Sequence, residues 1–177
     1  GTATHVFMQF ANFELLQKNG TDEEIVRLVS LDFITAASAE LIDRRAVNRF
    51  AESELFRRIL SARKVWRELR FNVNLPADQF TESDEFAVIL KGETVLVQGV
   101  VDCLIESENG DFVIIDYKTD HFTREQRYDN RAEAILRERY ATQLRYYRAA
   151  CERLIAGRIK QALIYSFSLG KTVEIID

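Results

Sequence analysis

Two acids and a lysine stand where a sequence ordinarily places only apolar side chains. Asp102 follows Gly99-Val100-Val101, and Asp116-Tyr117-Lys118 follows Val113-Ile114-Ile115. Both neighbourhoods are rich in Val and Ile and read as buried strands. A charge there costs several kcal/mol unless a partner or a metal ion offsets it. Alternation along a strand puts Asp116 and Lys118 on one face and Tyr117 on the other. Whether Asp102 joins them depends on the turn at Asn109-Gly110. A two-residue turn pairs Asp102 with Tyr117 and sends the carboxylate to the wrong face. A three-residue loop, Glu108-Asn109-Gly110 with Gly110 left-handed in a bulge, sets Asp102 directly opposite Asp116, roughly 5 Å away at Cα. The bulged form is expected. Two carboxylates at that spacing can share a divalent cation with the ammonium beside it. Hard oxygen ligands suit Mg²⁺ or Mn²⁺, and such a cation activates water and neutralises charge at a phosphorus centre. The alternative is a buried Asp–Lys ion pair with the other Asp capped.

The elements that must position these residues can be read from periodicity. Val6, Phe7, Phe10, Phe13 and Leu16 recur at three and four, predicting a helix over Thr4 to Gln17 that ends at Asn19-Gly20. Thr21 and Glu24 have capping-box spacing for a short helix through Val29. Leu41, Ala46, Phe50, Leu55 and Ile59 continue the helical pattern from Ser38 to Ser61. The period then changes to two from Val65 to Pro76, predicting a strand. Ala77 to Glu85 reads as a loop, and Phe86–Leu90, Thr94–Glu106 and Asp111–Thr119 as strands. A long helix is expected over Asp129–Ala156, stopped by Gly157. Two closing strands, Ile159–Ser168 and Thr172–Ile176, follow, joined through Gly170. The fold class is α/β: a mixed central sheet flanked by helices, with a helical segment over residues 1–61 and an α/β core over 62–177.

A chain of 177 residues, 47% hydrophobic, with one Pro and seven Gly, is expected to be one globular domain. Two cysteines make neither a disulfide scaffold nor a four-thiolate metal site. No apolar run reaches the length of a membrane span and no signal-peptide pattern opens the chain, so a cytoplasmic setting is expected. The first residue is Gly1, and a piece of a longer polypeptide is expected. The net charge of −4 argues against a nucleic-acid partner, but its distribution weakens that objection. Residues 121–160 hold ten Lys or Arg against five acids, +5 in a chain whose remainder carries −9. A solvated amphipathic helix explains the same charges.

The pattern Asp102 … Asp116-x-Lys118 resembles the core motif of the PD-(D/E)XK nucleases. Three further motifs, in family order, resemble the RecB-like branch: Gly1-x-x-x-His5, Asp116-Tyr117-Lys118-Thr119 and Gln143-x-x-x-Tyr147. Each is weak alone; together they cover nearly the whole chain. Within that branch the resemblance is to the C-terminal nuclease domains of the AddA family, the larger subunits of bacterial AddAB helicase-nucleases. It implies a restriction-endonuclease-like fold. It also implies an Mg²⁺-dependent (or Mn²⁺-dependent) exonuclease acting on DNA in double-strand break repair and recombination. The implied partners are an ATP-dependent helicase motor in the same chain, single-stranded DNA delivered by it, and an AddB-type subunit. By this resemblance His5, Asp102, Asp116 and the carbonyl of Tyr117 hold the metal, and Lys118 orients or polarises the attacking water. Gln143 and Tyr147 support the lysine or contact DNA, and arginines between 124 and 148 line the DNA path. Val101 stands where the family often has Pro, and the iron-sulfur cysteines of some relatives are absent. The alternatives are an inactive DNA-binding or scaffold module of the same fold, or a stand-alone endonuclease.

Other residues invite plainer explanations. Glu68 projects from an apolar strand and either helps at the metal or pairs with an Arg. His121 reads as a cap or surface group, and Cys103 as an inert thiol on the face opposite Asp102. Gly170-Lys171-Thr172 imitates a phosphate loop but lacks its first Gly, so it reads as a hairpin turn.

Overall fold

The computed structural model describes residues 2–128, 131–155 and 157–175. The first third is helical, as six short helices: α1 (Thr2–Phe10), α2 (Phe13–Asn19), α3 (Thr21–Ser30), α4 (Ala36–Glu40), α5 (Arg44–Ala51) and α6 (Glu54–Leu60). The two longer helices expected from periodicity are cut at capping residues. Asn12, Asp43 and Ser53 each accept a hydrogen bond from the backbone N–H three residues on. Each bond satisfies an otherwise unpaired helix N–H and starts a new helix while the apolar period runs on. The expected Thr21–Glu24 capping box is not made. Gly20 is the N-cap without a side-chain bond, the Thr21 hydroxyl bonds Asn48 Oδ1, and Glu24 accepts the Asn12 N–H at 2.6 Å and pairs with Arg27. Tertiary partners outcompete the local box because both side chains are buried.

The rest of the chain comprises β1 (Lys64–Pro76), a 3₁₀ turn (Ala77–Phe80), α7 (Asp84–Ile89), β2 (Thr94–Glu106), β3 (Phe112–Lys118), α8 (Arg131–Leu154), β4 (Ile159–Ser166) and β5 (Lys171–Ile175). The strand expected at Phe86–Leu90 is instead helix α7, which begins inside the expected loop. Ser83 caps it, and Phe86, Val88 and Ile89 are exposed. A short apolar run has no period long enough to tell strand from helix. The helix bounds expected at Asp129 and Ala156, the strand end at Ile176 and Gly1 lie outside the described residues.

The five strands form one mixed sheet in the order β1-β2-β3-β4-β5, antiparallel except for the parallel β3–β4 pair. The parallel pair needs a crossover, and α8 supplies it. Helices α1 to α6 bury Phe7, Phe50 and Phe56 against one sheet face with Cys103, Ile105, Ile115 and Tyr117. Leu136, Leu144 and Cys151 of α8 cover the other face with Leu104, Ile114 and Ile164. Among the described residues no helix is long and apolar enough to cross a membrane.

Both cysteines are fully buried. Burial pushes the Cys103 thiol up to about 12 and the Cys151 thiol up to about 11. A thiol must ionise and be reached to react. Native protein at pH 8 is therefore expected to take up no Ellman reagent over an hour and two equivalents in 6 M guanidinium; rapid native labelling of either thiol contradicts this packing.

Gly99 marks a close approach. A Cβ there would lie 2.5 Å from Phe71 Cζ and 3.0 Å from a Tyr147 ring carbon. Gly99→Ala is expected to destabilise the chain by about 1–3 kcal/mol in urea unfolding, the usual cost of overpacking; an unchanged midpoint means these rings give way freely.

Candidate active site

The β2–β3 turn sets the geometry. Ser107 N–H donates to Asp111 O at 2.8 Å and Gly110 N–H to Ser107 O at 2.9 Å, with Gly110 at φ +84°. This is the three-residue bulged loop, in the left-handed conformation that glycine adopts without steric cost. The ladder runs Cys103 opposite Ile115 through Glu106 opposite Phe112. Continued by one pair, that register sets Asp102 opposite Asp116. The backbone ladder ends there because the Tyr117 N–H donates instead to Asp102 Oδ2, at 2.7 Å.

Across the other edge of β2, the β1–β2 ladder pairs Arg67 with Cys103 and Leu69 with Val101. Glu68 therefore lies opposite Asp102, with a left-handed backbone at φ +52°. The inward-facing period changes on both strands at this position. Trp66 and then Leu69, Phe71 and Val73 pack on the α8 side, as do Val101 and Leu104. A left-handed glutamate costs of order 1 kcal/mol and persists where packing on both sides fixes it.

Helix α1 brings His5 to this position, with Nε2 at 3.4 Å from Asp102 Oδ2. Asp116 is 2% exposed. Lys118 Nζ stands 2.6 Å from its Oδ2, out of line for a hydrogen bond. Burial, reinforced by the charge of Asp102, pushes the Asp116 carboxyl up to about 6 against the opposing pull of Lys118. Burial and then Asp102 also raise Glu68. The acids thus form a mutually repelling group in a poorly solvated position, the arrangement that favours a bound cation.

Lys118 is held from three sides. Besides Asp116, it donates to Gln143 Oε1 at 3.4 Å and its ammonium lies 4.2 Å from the centre of the Tyr140 ring. The Tyr140 hydroxyl donates toward both carboxylate oxygens of Asp120, at 3.0 and 2.9 Å, and Arg139 pairs with Asp120 as well. Gln143 and Tyr147 lie one turn apart on α8 but serve different surroundings. Gln143 reaches the lysine, while Tyr147 packs edge-on against Phe71 with ring centres 5.2 Å apart. The Tyr117 side chain is buried on the opposite face, against Phe50 and Phe167.

Among the described residues no three His, Cys, Asp or Glu side chains converge closely enough to hold a metal ion as they stand. Asp102 is turned to the Tyr117 N–H and His5, and Asp116 to Lys118. The donor chemistry nevertheless fits Mg²⁺ or Mn²⁺: carboxylates from adjacent strands, an imidazole nitrogen, and a buried Asp116 Oδ2 with no aligned hydrogen bond.

Periodicity alone leaves Glu68 unassigned and misses Tyr140 and Asp120. The signal for Glu68 is the change of the inward residues of β1 from even to odd. Tyr140 lies three residues before Gln143 and Asp120 two after Lys118, so both are close to the motifs in sequence. Several arginines of the basic segment serve the fold: Arg127 donates to the carbonyls of Phe122 and Ser168, Arg137 to that of Glu174, and Arg139 pairs with Asp120. His121 is exposed, as expected of a surface group.

The chain is similar to known proteins over nearly its whole length. Residues 1–173 match the sequence profile of the PD-(D/E)XK nuclease superfamily. The chain is 37% identical over 169 residues to an ATP-dependent helicase/nuclease subunit of Geobacillus thermodenitrificans, covering 94% of the chain and 13% of that protein. It is 33% identical over 177 residues to the protein of the same name from Clostridium botulinum, covering 99% of the chain and 13% of that protein. Against the Geobacillus kaustophilus protein it is 37% identical over 182 residues, covering 99% of the chain and 14% of that protein. The chain thus spans about one seventh of these relatives' length or less.

Proposed function

This chain belongs to the PD-(D/E)XK nuclease superfamily, and from that premise we propose that it is a divalent-metal-dependent DNA nuclease domain. In this reading residues 1–177 form one nuclease domain of a longer helicase-nuclease. An ATP-driven motor in the same polypeptide feeds it single-stranded DNA, a second subunit of AddB type accompanies it, and the setting is cytoplasmic repair of broken DNA. The observation that carries the proposal is the register that brings Asp102 opposite Asp116 with Lys118 on the Asp116 face.

Asp102, Asp116, His5 and the carbonyl of Tyr117 would hold Mg²⁺ or Mn²⁺, with Glu68 within electrostatic reach. When bound, the cation supplies Lewis-acid activation of water and neutralises charge on the phosphodiester. The protein's own groups do the rest. Asp116 and Gln143 aim the Lys118 ammonium, and the Tyr140 ring holds it through a cation–π contact. An ammonium so held orients the attacking water by hydrogen bonding and stabilises the charge that develops on the phosphoryl oxygens. Asp102 is kept in place by the Tyr117 N–H, so its second oxygen is available for a ligand. Gln143 and Tyr147 act differently: the first positions the lysine, and the second holds the sheet face against α8.

The test is cleavage of end-labelled linear DNA by the chain and by the longer polypeptide that carries it, in 5 mM Mg²⁺ or Mn²⁺ and in EDTA. Cleavage that requires the cation, with little dependence on sequence, supports the proposal. No cation-dependent cleavage in either form overturns it and leaves a scaffold module.

A further inference from the structure

A second cluster of charge lies beside the candidate active site. A cleft of about 360 Å³ opens between α5, the segment after β3 and the turn after β4. Its lining includes Arg49, His121 and Arg127, with Asp43 as the one carboxylate among its described lining residues. Asp43 is already used as the N-cap of α5, accepting the Ala46 N–H at 3.0 Å. Arg49 donates to the carbonyl of Phe167 at 3.1 Å, and Arg127 to those of Phe122 and Ser168 at 3.3 and 3.4 Å. Neutral carbonyls thus anchor both guanidinium groups, those of Phe167 and Ser168 from a single turn. Neither forms an ion pair with any described carboxylate, and a guanidinium has five donors, so charge and donors remain for a ligand.

The cleft's position gives that charge a use. Its lining also includes Thr4 and Thr119, the neighbours of His5 and Lys118. Consecutive residues are about 3.8 Å apart at Cα, so the cleft wall reaches within one residue of the candidate site on α1 and just past the end of β3. Gly170 at φ +64° allows the turn that presents the Phe167 and Ser168 carbonyls, and a Cβ there would come within 3.0 Å of Arg49 Nε. The turn and the arginine are fitted to each other.

We propose that this cleft is a backbone subsite for single-stranded DNA, in which Arg49 and Arg127 hold phosphates flanking the one to be cut. The proposal rests on the nuclease reading and adds the helical segment, through Arg49, to the DNA-binding surface. The cleft contacts sugar-phosphate and not bases, so it is indifferent to sequence and sensitive to salt.

The test is binding of a fluorescein-labelled 20-mer of thymidine in EDTA, from 25 to 200 mM NaCl, by the chain and the Arg49→Gln/Arg127→Gln double variant. The expected result is about tenfold weaker binding at 50 mM salt and a log–log salt slope shallower by roughly 1.4, the loss of two phosphate contacts on a single strand. Arg49→Lys/Arg127→Lys keeps both charges and is expected to restore the slope. Arg63→Gln, remote on β1's end and paired with Glu106, leaves it unchanged. Circular dichroism checks that each variant is folded; if the Gln variant is not, the Arg49→Lys/Arg127→Gln variant serves, with a slope change of roughly 0.7. Wild-type slope and affinity in a folded neutralised variant overturn the subsite. The readout needs no catalysis: if cleavage is never seen but the slope falls, the nuclease reading fails and the cleft stands only as a site for the single-strand backbone. If cleavage proceeds while the slope is unchanged, the subsite alone fails.

Discussion

Replacing Asp116 by Asn is expected to make the metal-free chain more stable at pH 7.5 while abolishing its cleavage. Burial and the neighbouring Asp102 raise the Asp116 carboxyl from 3.8 to about 6 in the folded chain. Its folded value therefore lies above its unfolded one, and the folded state takes up the proton more readily. Stability from this group grows as pH falls through 6, saturates near 4, and is absent at neutral pH, where the ionised form costs roughly 3 kcal/mol. Asparagine has the same shape without the charge. In EDTA at pH 7.5, urea unfolding should show the variant more stable by up to about 3 kcal/mol, with the gap closing between pH 6 and pH 4. In Mn²⁺ the order should reverse, since only wild type has the ligand that couples binding to folding. Cleavage should fall by about 10³-fold or more, because one change removes a metal ligand and a partner of Lys118. A variant less stable than wild type in EDTA at pH 7.5 would mean that the Asp116–Lys118 ion pair outweighs burial, and would reduce the acids to a structural pair.

Lys118→Met is expected to separate chemistry from metal binding. The side chain keeps its length and apolar stem but loses the ammonium that Asp116, Gln143 and Tyr140 surround. Cleavage should fall about 10²- to 10³-fold, the usual loss when a charged group aimed at the developing transition state is removed. Mn²⁺ binding, measured by calorimetry, should persist because the ligand set is intact. The Asp116 carboxyl should move further above 6, since the group that lowers it is gone. Lys118→Arg should not rescue the rate: the longer, planar guanidinium keeps the charge but cannot place it where the compact ammonium stands, 2.6 Å from the buried Asp116 Oδ2. Near-normal cleavage by Lys118→Met would show that the lysine serves only to neutralise Asp116.

The register of the site is legible in the sequence because it depends on local chemistry. Asn109-Gly110 favours a turn with a left-handed residue, the Val and Ile runs give the strands, and the period of two then leaves Asp102 opposite Asp116. The motif pairs Gly1 to His5 and Gln143 to Tyr147 hint at which distant segments come near. The first third is legible as helical but not as six pieces. Capping residues interrupt helices without interrupting the apolar period, and Thr21 has a better partner in Asn48 than in its own helix. Helix α7 reads as a strand because its exposed Phe86, Val88 and Ile89 look, in sequence, like a buried one.

Spacing within about fifteen residues is therefore enough for the α/β class and most of the strands, and turn chemistry at Asn109-Gly110 favours the pairing of the two acids. Only the tertiary structure decides that Glu68 faces Asp102, that α1 delivers His5, that Tyr140 rather than Tyr147 meets the lysine, and that Arg49 and Arg127 share a cleft. Those contacts join segments far apart in the chain. No local period encodes them; they follow from the packing of the sheet against its two helical layers, which fixes which distant side chains meet.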